Sequence, residues 1–207
     1  MSTSEVSSAE PARKRNAAAT REAILLSARK AFARAGYDGA GVREIAAGAG
    51  VTAMLVNRYF GSKEQLFAEV VAEGMKQPII LSEKNIGSTT MARDFAKALV
   101  AITDPHAPAL EGFQVMLRSA SSQRAAEIGR EEIEKGHQRT MATLLRGRLA
   151  PQRAALLLSL VAGVQVMRQM VGLSALADAD PAALVKLLEP LIQQLLDDGK
   201  TPKPPKD

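Results

Sequence analysis

Apolar positions along this chain recur with the 3.6-residue period of helices, and no segment shows the two-residue alternation of a half-buried strand. In the first clear segment Ile24, Ala28 and Phe32 form one stripe, with Leu25 and Ala31 beside it. Thr20 is the candidate N-cap of that helix and Gly36 its end. A short helix near Val42 to Gly48 follows, whose cap position, Gly41, supplies permissive backbone but no capping oxygen. After the Gly48-Ala49-Gly50 turn, Thr52 caps another short helix running to Tyr59 or Phe60. Ser62-Lys63-Glu64-Gln65 has the form of a capping box and starts a longer helix that ends near Gly74.

Further on, the pattern predicts helices near 92–102, 108–121, 123–148, 152–173 and 181–197. The last opens with Asp180 as cap and Pro181 in the first turn, and Leu184, Leu187, Leu188, Leu191 and Leu195 give it a wide apolar stripe. Pro190 lies inside it, where a kink is expected. Ala154 to Leu173 is apolar on nearly every face, so enclosure on several sides is expected. The fold class is therefore all-α. Periodicity is absent from residues 1–18, expected to be a disordered arm, and from 199–207, a tail with Pro202, Pro204 and Pro205 among lysines.

Composition agrees with helices: 46% of residues are hydrophobic but only 3% aromatic, which leaves leucine, valine, alanine and methionine to fill a core. A net charge of +5 is modest, and its placement matters more. Residues 11–63 hold ten Lys or Arg against three Asp or Glu, whereas residues 64–207 hold seventeen of each. A basic module joined to a neutral body points to a polyanionic partner for the first. Arg13, Lys14 and Arg15 in the arm either lie along that polyanion or are simply solvated. The absence of cysteine excludes disulfides, thiolate metal sites and a cysteine nucleophile, and fits a cytoplasmic location. The longest apolar run, Ala154 to Met167, is broken by Ser159 and Gln165 and stopped by Arg168, short of the roughly 20 residues a bilayer requires, so no membrane partner is expected.

Val42 to Gly61 meets the demands of two short helices crossing tightly. Ile45 and Ala49 point inward, Ala46 is the small contact residue, Gly50 turns the chain, and Val51 and Val56 close the core. Leu25, Ala28 and Phe32 of the first helix give this pair a surface to pack on. Gly36-Tyr37-Asp38, Val42-Arg43-Glu44-Ile45-Ala46, Gly50-Val51-Thr52 and Tyr59-Phe60-Gly61-Ser62-Lys63-Glu64-Gln65-Leu66-Phe67 together resemble the signature of the TetR (tetracycline-repressor-type) family of transcriptional regulators. The resemblance covers about a quarter of the chain. It implies a three-helix helix-turn-helix DNA-binding domain over residues 19–67 and a helical ligand-binding and dimerisation domain over 68–198.

By that resemblance Thr52 to Tyr59 enters the major groove of double-stranded DNA with Ala53, Met54 and Asn57 near base edges. Asn57 is the best base reader, because its amide can both accept from and donate to adenine. Arg43, Thr52, Arg58, Tyr59 and Lys63 match backbone-contacting positions, with Thr20 or Arg21 weaker candidates. Taken singly, Thr52 is equally a cap, Tyr59 partly core, and Arg43 and Arg58 surface charges.

The resemblance further implies a homodimer built on the last two long helices, through Leu158, Val161, Gln165, Leu184, Leu188, Leu191 and Leu195, with burial inside one monomer as the alternative. Met91, Phe95, Phe113, Met116, Leu117, Met141 and Leu144 are candidates to line a cavity for a small apolar effector, although for any one of them plain core packing is the favoured role. Glu134-x-x-His137 has metal-helix spacing, but no second such helix exists, since His106 lacks a glutamate three residues before it. No metal, cofactor or enzymatic constellation is expected. A ligand-released repressor of a palindromic operator is the leading reading; an effector-independent DNA-binding protein with a structural or cell-division role is the second, and an enzyme or carrier on a helical bundle the third.

Overall fold

The computed structural model describes residues 9–75, 90–107, 111–145 and 147–197. All regular structure among the described residues is helical. The helices are α1 (Ala9–Gly39), α2 (Val42–Gly48), α3 (Ala53–Phe60), α4 (Lys63–Met75), α5 (Met91–Ile102), α6 (Glu111–Ser119), α7 (Gln123–Ile133), α8 (Arg139–Leu144), α9 (Ala150–Gln165), α10 (Ser174–Ala177) and α11 (Pro181–Leu196). Wide π turns, Glu134–Gln138 and Val166–Met170, join α7 to α8 and extend α9.

Two expectations at the N-terminus are corrected. Helix α1 begins at Ala9 rather than after residue 18, and Thr20 lies inside it, its hydroxyl donating to the Asn16 carbonyl at 2.8 Å instead of capping. Ala17, Ala18 and Ala19 explain the difference: alanine has the highest helix propensity and needs no apolar stripe, so periodicity does not reveal it. The tail at 199–207 and the side chains of Arg13, Lys14 and Arg15 lie outside the described residues.

The chain forms two compact units whose boundary differs from the sequence expectation. One, the head, comprises Met1–Gly74 together with Leu110–Glu132; the other comprises Met75–Ala109 and Ile133–Asp207. The head thus includes α6 and most of α7. In the head, Ile24, Ala28, Phe32, Ile45, Val56, Phe60, Leu66 and Phe67 are buried together with Val115 and Ala125. Phe32 meets Phe67 edge to face at 5.1 Å between ring centres, and Tyr37 meets Phe67 at 5.0 Å. Helix α1 breaks at Gly36 (φ 68°), where a Cβ would stand 2.4 Å from the Arg118 carbonyl oxygen of α6. Only glycine fits there.

In the second unit Phe95, Ala96, Leu99, Met141, Leu157, Leu184, Leu188 and Ile192 form the core. Helix α11 opens as expected, with the Asp180 side chain accepting from the Ala183 amide at 3.1 Å, and continues through Pro190. Two arginines are buried in this unit: Arg153 donates to the carbonyls of Leu195, Leu196 and Asp197 at 3.0–3.2 Å, and Arg168 to those of Val100 and Leu176. Each cation thus satisfies carbonyls at helix C-termini, where the macrodipole also favours positive charge. The sequence pattern had shown Arg168 only as the end of an apolar run. Helix Ala150–Met170 has 21 residues and a hydropathy of 1.3, long and apolar enough by those measures to cross a membrane. That exceeds the run counted from sequence, because the helix carries its arginines inside it.

Within the single chain, Ala154 to Leu173 is enclosed only on its inner side. Leu156, Met167, Met170, Val171 and Leu173 are exposed, as are Leu187 and Leu191 on α11.

Candidate nucleic-acid interface

Helices α2 and α3 pack across a turn that the local sequence dictates. Gly50 adopts φ +67°, a left-handed conformation that a side chain would strain, and the Val51 amide returns to the Ala46 carbonyl at 2.9 Å. Ile45 and Ala46 are buried from α2, Val56 and Phe60 from α3. Helix α2 approaches α1 closely at Gly48, where a Cβ would lie 2.4 Å from Ser27 Oγ, and that hydroxyl donates to the Ile45 carbonyl at 2.8 Å. Neither Ser27 nor Gly48 stood out in sequence as a packing contact, although a serine on the core side of an amphipathic helix is the available signal.

Thr52 accepts a hydrogen bond from the Leu55 amide at 3.3 Å, capping α3. Because Oγ accepts in that bond, its own proton is left to donate outward, so capping and backbone contact are compatible. Burial of Val56 and Phe60 turns the opposite face of α3 to solvent: Met54 is 79% exposed, Asn57 and Arg58 are exposed, and Ala53 and Tyr59 are half-buried. Arg43 on α2 is exposed too. Met54, Asn57 and Arg58, spaced i, i+3 and i+4, therefore share the solvent-facing side of α3.

Lys63 is half-buried, its ammonium resting 4.6 Å from the centre of the Tyr37 ring. Burial, followed by the nearby Glu64 carboxylate, pushes the Tyr37 hydroxyl above its ordinary pKa, so the ring bears no charge near neutrality. The beginning of α4 is capped by Ser62, whose Oγ accepts from the Gln65 amide at 3.1 Å. Arg21, a weaker candidate, is engaged elsewhere: it pairs with Glu69 and stacks 4.9 Å over Phe60.

The other candidate sets are distributed differently. Phe95, Met141 and Leu144 belong to the second unit's core and Met91 is half-buried in the same unit, whereas Phe113, Met116 and the exposed Leu117 belong to the head. Met116 packs where a Cβ on Gly129 would meet it. Of the residues assigned to a dimer surface, Leu191 is exposed, while Leu158, Val161 and Leu195 are half-buried. Leu184, Leu188 and Gln165 are instead buried within the unit, a correction that for the two leucines follows from helix phase: Leu184, Leu188 and Ile192 are four apart and share the inner face of α11.

A tight helix pair with a solvent-facing second helix, held in one unit with α1, α4, α6 and most of α7, on the most basic part of the chain, defines a helix-turn-helix DNA-binding protein. Residues 24–70 match the family described as "Bacterial regulatory proteins, tetR family", and residues 90–196 match "Tetracyclin repressor-like, C-terminal domain". The chain belongs to the TetR family of transcriptional regulators. No curated protein matches it significantly. Among solved structures, it resembles a transcriptional regulator from Rhodococcus sp. Rha1 at 25% identity and a TM-score of 0.59, covering 88% of this chain and 99% of the other. It resembles NalD of Pseudomonas aeruginosa, the secondary repressor of the MexAB-OprM multidrug efflux pump, at 20% identity, TM-score 0.60 and coverage of 88% and 99%. A third likeness, at 15% identity, TM-score 0.57 and coverage of 85% and 99%, is to the multidrug binding protein EbrR complexed with proflavin.

Proposed function

We propose that this regulator is a homodimeric repressor that works in the cytoplasm, binds a palindromic operator with α3 of each subunit in the major groove, and is released by a small apolar molecule. The observation that carries the DNA reading is the outward set on α3, Met54, Asn57 and Arg58, on the most basic part of the chain. Asn57 reads a base edge; Met54 offers a thioether and methyl to a thymine methyl. Arg43, Arg58, the Thr52 hydroxyl, Tyr59 and Lys63 contact phosphates. For the last of these, the ammonium leaves or shares its place on the Tyr37 ring.

The dimer reading rests on Leu156, Met167, Leu187 and Leu191, large apolar side chains exposed on α9, its π turn and α11. Large apolar side chains left facing water call for a partner, and closed symmetry supplies a second copy. Repression and release by a small molecule draw on the likeness to NalD and EbrR.

Selection of DNA bound by the purified protein, starting from its own promoter region, tests the reading. A palindrome with half-sites one helical turn apart is the expected result. Against it, Asn57→Ala should lose about 1–3 kcal/mol while non-specific binding stays nearly constant. Equal loss on every sequence would make Asn57 a phosphate ligand instead.

A further inference from the structure

The start of α4 carries opposite charges side by side, Lys63 and Glu64, directly after the reading helix. A carboxylate at this place is favourable to the helix, since it lies in the first turn where the dipole is positive. Toward DNA it is unfavourable. Glu64 left to itself would compete with phosphate for the Lys63 ammonium and would repel the phosphates directly.

Helix α7 supplies what holds it back. Arg124, in the first turn of α7, donates to the Glu64 carboxylate at 2.8 Å and to Glu127 at 3.2 Å. One residue before α7 begins, the Ser122 hydroxyl donates to the Asp38 carboxylate at 3.1 Å, and the Ser119 hydroxyl accepts from the Tyr37 amide at 3.0 Å. The ring that carries the Lys63 ammonium is thus bordered by two carboxylates, Asp38 and Glu64, and each is bonded to a group from the start of α7 or the turn before it. Arginine suits the task because its guanidinium binds two carboxylates at once and keeps its proton at any physiological pH. Side chains of both partners are about half exposed, at 51% for Arg124 and 44% for Glu64, so the pair contributes little to folding.

We propose that Arg124 is a positioning residue for DNA binding: by holding Glu64 it leaves the Lys63 ammonium on the Tyr37 ring, free to exchange that ring for a phosphate. The proposal rests on the DNA-binding reading above and adds a residue from a helix outside the helix-turn-helix motif.

A charge cycle tests it. The full-length protein as wild type, Arg124→Ala, Glu64→Gln and the double variant is titrated against its selected operator and against an unrelated duplex, across a salt series, with fluorescence anisotropy as the readout. Arg124→Ala should weaken both duplexes by about 3- to 10-fold at low salt and flatten the salt dependence by about one unit. Adding Glu64→Gln should restore binding to within about twofold of wild type, whereas the same change made in the wild type should have a much smaller effect. Arg124→Lys, which keeps a cation, should stay near wild type. If Arg124→Ala melts early, Arg124→Met keeps the apolar stem and replaces it in the cycle.

Equal gains from Glu64→Gln in both backgrounds would reduce the pair to two independent charges and overturn the proposal, as would an Arg124→Ala protein that binds DNA like wild type. A wild type that binds neither duplex would remove the DNA-binding reading and this one with it; a wild type that binds while the cycle shows no coupling removes only this one.

Discussion

The two units of the chain use their large apolar side chains in opposite ways. In the head, Phe32, Phe67, Ile24, Ile45 and Leu66 are fully buried, and the exposed large apolar residues are few: Met54 on the solvent-facing side of α3, with Leu26 and Leu117. In the second unit the core is just as closed around Phe95, Leu99, Met141 and Leu157, yet Leu187 is 67% and Leu191 51% exposed, with Leu156, Met167 and Leu173 exposed as well. The head therefore closes most of its apolar surface within itself, and Asn57, Arg58 and Arg43 stand exposed around its helix pair. The second unit finishes only its inner layer, and its outer apolar surface is available for association. Both surfaces come from amphipathic helices; what differs is whether the helix carries one apolar stripe or apolar residues all round.

The comparison can be broken most sharply at the head core. Phe32→Ala removes a ring that packs on both Phe67 and Tyr37 and should destabilise the head by about 3–5 kcal/mol, measured by denaturant unfolding, with DNA binding lost in parallel. Unchanged stability would mean that the aromatic cluster is not what closes the head.

Next in size is the outer surface of α11. Leu191→Asp should cost on the order of 2 kcal/mol or more of association and give a monomeric mass by light scattering at micromolar concentration. Leu188→Ala, one turn earlier but on the inner face, should instead lower unfolding stability by about 2–5 kcal/mol. If Leu191→Asp leaves the mass unchanged and that mass is dimeric, another surface holds the dimer.

Smaller effects are expected in the reading pair. Gly50→Ala meets no neighbouring atom, so its cost of about 1–2 kcal/mol comes from the left-handed backbone alone and should appear as lower thermal stability of the head. Thr52→Ala should cost about 1 kcal/mol from the lost cap, and DNA affinity should fall further than stability does, because the hydroxyl proton is lost as well. Equal losses in the two measurements would leave Thr52 as a cap only.

Local rules were enough to read much of this molecule from its sequence. Thr52, Ser62 and Asp180 are caps because a short oxygen-bearing side chain precedes each helix, and Gly36 and Gly50 break or turn the chain because only glycine tolerates their backbone. Periodicity located α2, α3, α5 and α11 within a residue or two, and the outward phase of Met54, Asn57 and Arg58 followed from the buried Val56 and Phe60. Helix α1 starts earlier than periodicity shows because alanine-rich turns have propensity without periodicity, and the four-residue α10 is too short to show a period at all.

Contacts between distant segments were decided only by the tertiary structure. Arg124 and Ser119 belong with the reading head although they lie 60 or more residues beyond Lys63 or Tyr37, and no local pattern marks an arginine or a serine for such a role. Leu188 and Leu191 read alike in sequence, as two leucines of one broad stripe, yet one is core and the other open to solvent. Arg153 and Arg168 likewise became buried caps of neighbouring helices only when folding brought orphan carbonyls to them. Periodicity specifies that a helix has an apolar face; which neighbour covers each part of that face, and which part is left uncovered, depends on residues far away along the chain.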